Sequence, residues 1–99
     1  MAAEREQVND WAAAMAATAI RERPGVSGGY PVVGDTRIAV RLIVEAYRQV
    51  GTLDDTVEVF PQLSREQISA ALDYYRANPG RVDEDIERNA RTLSALRDG

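Results

Sequence analysis

The chain has 99 residues, of which 16 are acidic and 12 are arginine, and because it has no lysine its formal net charge is −4. Cysteine and histidine are absent as well, which excludes disulfides and thiolate metal sites and removes the commonest general base. A chain this short forms one domain with a modest core, and no apolar run is long enough to span a bilayer.

Residues 2–22 are predicted to form an amphipathic helix. The stretch is rich in alanine, and apolar residues recur at helical spacing, among them Trp11 and Met15. Pro24-Gly25 ends the helix, so residues 1–28 form a first segment of helix and linker. The acidic start has no basic region, so a secretory signal is not expected. Trp11 and Met15 either pack on the rest of the chain or bind a partner.

A short β-hairpin is predicted next. The apolar run 30–33 and the alternating run 36–40 are separated by Gly34-Asp35, which suits a tight two-residue loop. Arg37 lies beside this loop. Two roles are open for it: contact with a partner or a phosphate group, or a salt bridge within the hairpin.

Three helices are predicted to follow, and with the hairpin they make a core of residues 29–78. The first spans residues 40–50 and ends at Gly51. The second spans residues 53–60 and is capped by Thr52. The third spans residues 64–77, and Ser64 and Gln67 have the spacing of a capping box. The fold class is therefore mainly α, a small helical bundle preceded by the hairpin and flanked by amphipathic N- and C-terminal helices.

The second and third of these helices, with the turn 61–63 between them, have the proportions of a helix-turn-helix. In that interpretation Ser64, Arg65 and Gln67 lie near base edges at the start of a recognition helix, and Arg76 approaches a phosphate group. The alternative is a three-helix bundle used only for packing. The near-zero net charge of the third helix favours this alternative, since groove-reading helices are usually basic.

Residues 79–99 are predicted to form a C-terminal helical arm, with its helix over 82–97. Its apolar positions make a heptad-like seam that includes one asparagine: Val82, Ile86, Asn89, Leu93 and Leu96. The arm folds back, dimerises or wraps a partner. The residues expected to bind a partner are Val82, Ile86, Arg88, Arg91 and Leu93. The acidic run 83–87 is interpreted as the solvated start of the helix, because it lacks the ligand spacing of a calcium loop.

No catalytic constellation is present in the sequence, so the chain is not expected to be an enzyme. Without histidine, cysteine or lysine, the serines have no evident base to activate them. No cofactor and no metal are expected. Two amphipathic ends on a small core instead indicate a protein that binds other macromolecules, with a homodimer as one way to bury them.

The middle of the chain resembles the bacterial family catalogued as domain of unknown function 433. Its pattern matches Gly29-Tyr30-Pro31, the hairpin strand 35–40, the turn 51–55, the segment 60–64 and the helix end 70–75. Asp35 and Ala39 stand where the family pattern has glycine and proline. The resemblance covers about half of the chain, and Arg37 in the Thr-Arg-Ile segment is the residue that it carries over most directly.

The resemblance implies a homeodomain-like fold and a role as the VapB-like antitoxin of a type II toxin–antitoxin pair. Such an antitoxin is cytoplasmic, binds a PIN-like ribonuclease toxin, and as a dimer represses its own operon by binding operator DNA. Two alternatives stay open from the residues alone: a stand-alone helix-turn-helix transcriptional regulator, and a non-catalytic protein-interaction adaptor. None of these interpretations involves a membrane.

Overall fold

The computed structural model describes residues 19–98, and this part of the chain is mainly helical. Two short strands come first, β1 (Ile20–Arg21) and β2 (Val32–Val33). Four helices follow: α1 (Val40–Val50), α2 (Leu53–Val59), α3 (Arg65–Ala77) and α4 (Pro79–Asp98). The predicted helical class is thus confirmed for these residues. The predicted N-terminal helix up to residue 18, with Trp11 and Met15, lies outside them.

The sheet contains a strand that the sequence interpretation missed. β1 pairs with β2 in antiparallel register, Ile20 opposite Val33 and Arg21 opposite Val32. The prediction of helix up to residue 22 is therefore wrong at its end. Ile20 packs against the core from this strand, and the gain from pairing and burial outweighs the helical preference of the alanine-rich sequence before it.

The predicted hairpin is present in reduced form on the other edge of β2. The Val33 amide donates to the Ile38 carbonyl at 2.9 Å and the Val40 amide to the Pro31 carbonyl at 3.0 Å. Only Ala39 forms a bridge, opposite Val32. The run 36–40 therefore crosses β2 briefly and passes directly into α1.

The helix ends follow the local signals in the sequence. Gly51 ends α1 with φ of 85°, a conformation that glycine adopts without steric strain. Thr52 caps α2 by accepting from the Asp55 amide at 3.1 Å. Ser64 and Gln67 form the predicted capping box at the start of α3. The helix α4 begins at Pro79, three residues earlier than predicted, because proline is tolerated in the first helical turn, where its missing amide hydrogen leaves no bond unmade.

The core is formed by β2, α1, α3 and α4 together with the α2–α3 turn. Its buried members are Val33, Val40, Ile43, Val44, Leu63, Ile68, Ala71, Leu72 and Val82. Ile43 and Ile68 are fully buried, and each such side chain stabilises the fold by roughly 1.5–3 kcal/mol. The core holds α1 and α3 together and gives α4 a surface on which to dock.

Candidate functional site

The helix α4 has two halves with different surroundings. In the first half, Val82 and Asp85 are each 1% exposed, and Ile86 packs against the core. From residue 90 onward every described residue is exposed, and Leu93 and Leu96 expose 50% and 74% of their surface. We call residues 79–89 the docked half and residues 90–98 the distal arm. At 1.5 Å per residue the distal arm is about 13 Å long.

A buried carboxylate fastens the docked half to α1. Arg88 donates to Asp85 Oδ1 from Nη2 at 2.8 Å and from Nε at 3.2 Å. Arg41 Nε lies 3.4 Å from Asp85 Oδ2, an ion pair in which neither atom makes a well-aligned hydrogen bond. Placing the carboxylate between two guanidinium groups compensates for its removal from water. The prediction that the whole acidic run is solvated is therefore wrong for Asp85.

Tyr30 fastens the docked half to the loop before β2. The guanidinium groups of Arg81 and Arg88 lie over its ring, 4.2 and 4.9 Å from the centroid, close enough for cation–π attraction. Its hydroxyl donates to Glu84 Oε1 at 2.9 Å, and this hydrogen bond raises the pKa of Tyr30 above 10.0. Arg88 Nη2 also donates to the Ser27 carbonyl at 3.4 Å. A side chain at Gly28 would meet the Arg88 guanidinium at 3.3 Å, so glycine permits this close approach.

A second ionic contact ties α4 and α3 to the segment after β1. Arg81 Nε donates to Glu22 Oε1 at 3.2 Å, which raises the pKa of Arg81. Tyr74 donates to the same oxygen at 3.5 Å, and burial of the phenol, more than the nearby carboxylate, raises its pKa above 10.0. Glu22 therefore joins the segment after β1 to two helices.

The residues of α4 that were predicted to bind a partner fall into two groups, those engaged within the protein and those left on its surface. Val82 belongs to the chain's own core and Ile86 packs against it, so neither forms an exposed seam. Arg88 is engaged with Asp85 and Tyr30. Arg91 and Leu93 remain on the surface. Arg91 forms a loose ion pair with Glu87, in which the two charged groups are 4.0 Å apart. The prediction missed Asp85, although its place three residues after Val82 on the buried helix face could have revealed it.

The residues predicted to contact DNA lie on α3 or, for Ser64, at its N-cap, and each has a partner within the protein. The Ser64 amide donates to Gln67 Oε1 at 2.8 Å, and the Gln67 amide donates to the Ser64 hydroxyl at 3.1 Å. Arg65 pairs with Asp54 of α2 at 2.5 Å, and Arg76 pairs with Asp73 at 2.9 Å. Residues 53–77 carry five acidic side chains and two arginines. The structure thus brings Ser64, Arg65 and Gln67 together in one turn and leaves Arg76 three turns away.

Arg37 is exposed at the hairpin turn, and it forms no ion pair with any residue in 19–98. The internal salt bridge that was one of its two predicted roles is therefore not formed within these residues. The carboxylate beside it, Asp35, instead pairs with Arg21 at 2.5 Å.

Two further findings concern residues 19–98 as a set. No group of three or more acidic side chains gathers closely enough to hold a metal ion. No helix among them combines the length and the apolar character needed to cross a bilayer.

Comparison with known proteins places these features in a family. Residues 20–75, more than half of the chain, match the family described as "Protein of unknown function (DUF433)". The chain belongs to this family. A crystal structure of a DUF433 member protein from Anabaena variabilis ATCC 29413 is similar, with 37% sequence identity and a TM-score of 0.61 over 83% of this chain and 80% of that chain. No curated protein matches the chain. The match begins at β1 and ends in α3, so α4 lies beyond it, whereas the residues on which α4 docks, Glu22, Tyr30 and Arg41, lie within it.

Proposed function

We propose that this DUF433 protein is the cytoplasmic antitoxin of a toxin–antitoxin pair and that its distal arm binds a PIN-like nuclease. The observation that carries the proposal is the exposure of Leu93 and Leu96 on a helix whose first half is firmly docked. Exposed large apolar side chains on one helix face are typical of a segment that lies in a groove of another protein. The nuclease as partner follows from the family resemblance.

The charges of the arm agree with such a partner. The active site of a PIN-like nuclease is a cluster of metal-binding carboxylates, and arginine forms strong charge-assisted bonds with carboxylates. Arg88 is already held by the buried Asp85, so of the two arginines predicted to bind the partner, Arg91 is the one that remains exposed for this contact. Exchanging its loose contact with Glu87 for a nuclease carboxylate loses little, because exposed ion pairs contribute at most about 1 kcal/mol.

Co-expression with the product of the neighbouring open reading frame tests the proposal. We expect a complex that can be purified and a loss of the toxicity of the neighbouring protein. The double variant L93A/L96A should weaken the complex tenfold or more, since each truncated anchor of an interface typically costs over 1 kcal/mol. Thermal stability of the free protein should not change, because both side chains are exposed.

The matched control is L42A/V50A, which truncates two exposed apolar residues of α1 instead. Equal loss of binding in this control, or full binding by L93A/L96A, contradicts the role of the arm. A truncation must begin after residue 90, because removing the chain from Pro79 onward also deletes Val82 and Asp85 from the core.

Operator binding as a dimer, with α2 and α3 as a homeodomain-like helix-turn-helix, is the second candidate function. The short α2, the turn containing the buried Leu63 and the longer α3 support it, as does the exposed first turn of α3. A mobility-shift assay with the region upstream of the gene tests it, and salt-dependent binding is the expected result. DNA binding without any nuclease complex would instead favour a stand-alone regulator. The absence of both activities would favour an adaptor.

A further inference from the structure

Two arginines bond to the turn between β2 and α1, and a third is part of the chain at this turn. Arg21 Nη1 bonds Asp35 at 2.5 Å, Arg23 Nη2 donates to the Thr36 carbonyl, and Arg37 is the next residue along the turn. We call Arg21, Arg23 and Arg37 with residues 34–36 the arginine turn. It contains one carboxylate, so its local charge is +2 in a chain whose net charge is −4.

The backbone of the arginine turn is fixed by its own hydrogen bonds. The Thr36 amide and hydroxyl both donate to the Val33 carbonyl, at 3.0 and 2.6 Å, and the Ile38 amide donates back to the Thr36 hydroxyl at 3.0 Å. The Gly34 amide donates to the Ala19 carbonyl at 2.5 Å. A turn held in this way presents its arginines without the entropy loss of ordering a loop on binding.

Most hydrogen-bond donors of these arginines are unused within residues 19–98. A guanidinium group carries about five N–H donors, and Arg21 and Arg23 each use one nitrogen while Arg37 uses none in that range. Arg23 Nε is buried and so cannot reach a ligand, which leaves Arg21 and Arg37 as the exposed arginines of the turn. Arg65 and Arg76 likewise each pair with a carboxylate through one nitrogen, but residues 53–77 carry five acidic side chains against these two arginines. The excess of positive charge therefore lies at the turn, whereas α2 and α3 together carry an excess of negative charge.

We infer that the arginine turn binds the phosphodiester backbone of duplex DNA. The guanidinium group of arginine donates bidentate hydrogen bonds to two oxygens of a phosphate group. Phosphate contacts supply most of the sequence-independent affinity of DNA-binding proteins. The negative charge of residues 53–77 prevents α3 from supplying this affinity, so the turn holds the duplex and α3 contributes only to its orientation. The inference deepens the DNA-binding candidate and does not depend on the nuclease partner.

The test measures binding of the full-length protein to two duplexes of equal length, the region upstream of its own gene and an unrelated sequence, over a range of salt concentrations. The wild type should bind both at low salt. The double variant R21Q/R37Q should weaken binding to both alike and should lower the slope of log affinity against log salt by about 0.9 for each phosphate group that the variant no longer neutralises. The double variant R65Q/R76Q, which removes the same charge from α3, should leave the slope nearly unchanged.

A comparison of two single variants, R37Q and R48Q, separates the contact made by the turn from the effect of the protein's net charge, because each variant removes one positive charge. R37Q should weaken binding several-fold, whereas R48Q, in the last turn of α1 beside Tyr75 and Asp83, should not. Circular dichroism of each variant verifies that it folds, and the exposed Arg37 makes R37Q the variant least prone to misfold.

Four results would overturn the inference. The first is the absence of DNA binding by the wild type at low salt, and the second is a loss of DNA affinity in R65Q/R76Q equal to that in R21Q/R37Q. The third is tighter binding to an RNA duplex of the same sequence. The fourth is that R21Q/R37Q no longer binds the nuclease but still binds DNA. The first also removes the operator-binding candidate. The second moves the phosphate contact to α3 and leaves that candidate standing, so the two failures are distinguishable.

Discussion

Replacing Asp85 with alanine will leave the Arg41 and Arg88 guanidinium groups facing each other without their shared carboxylate. Removing one partner of a buried ion pair typically destabilises a protein by about 3–5 kcal/mol. Arg41 is 14% exposed and Arg88 35% exposed, so water screens part of the repulsion and Arg88 can turn outward. We therefore expect D85A to lower the free energy of unfolding by roughly 2–3 kcal/mol.

The loss is measurable by thermal and urea unfolding followed by circular dichroism. For a chain of this length, 2–3 kcal/mol corresponds to a decrease in Tm of roughly 10–20 °C. E87A is the control, because Glu87 is two residues away on the same helix but exposed and only loosely paired with Arg91. It should change the stability by no more than about 0.5 kcal/mol.

A double-mutant cycle separates the ion pair from other effects of the truncation. D85A and R88A together should destabilise the protein by less than the sum of the single variants, with a coupling energy of at least about 1 kcal/mol. The reasoning is refuted if D85A unfolds like E87A, or if the two substitutions are additive. Either result would mean that the Asp85 ion pair contributes little and that the docked half of α4 is held by its apolar contacts and by Tyr30 and Glu22.

Three other predictions concern the tyrosines, a helix cap and the two halves of α4. The raised pKa values of Tyr30 and Tyr74 mean that both phenols hold their protons more tightly in the folded state. The resulting stabilisation is complete below about pH 10 and is lost as the pH rises through the raised pKa values. Urea unfolding at alkaline pH should show this decline in stability, and the variant Y74F should show a smaller decline. S64A should cost about 1 kcal/mol in urea unfolding, because the capping box is removed, whereas an unchanged stability would show that Ser64 has no structural role. V82A should lower the stability by about 1–2 kcal/mol and L96A by no measurable amount, and equal effects would contradict the division of α4 into a docked half and a distal arm.

The ends of α1, α2 and α3 could be predicted from the sequence, because each depends on residues a few positions apart. The glycine at the end of α1 and the cap of α2 are local signals of this kind. Ser64 and Gln67 bond each other across three residues, so their spacing alone was sufficient to predict the capping box. The family resemblance was carried by the same short-range signals and is confirmed over residues 20–75.

The sequence alone could not decide which charged and apolar side chains would be covered, because burial depends on partners far away in the chain. Ile20 became part of a strand only because Val33 lies opposite it. Asp85 was interpreted as solvated and Arg88 as a partner-binding residue. In the structure both are engaged where α4 docks against Arg41 and against Tyr30, whose bonded partner Glu84 is 54 positions away. Sequence thus determined the local elements, and the tertiary structure decided that the C-terminal helix is half core and half exposed arm, since only packing brings such distant charges within bonding distance.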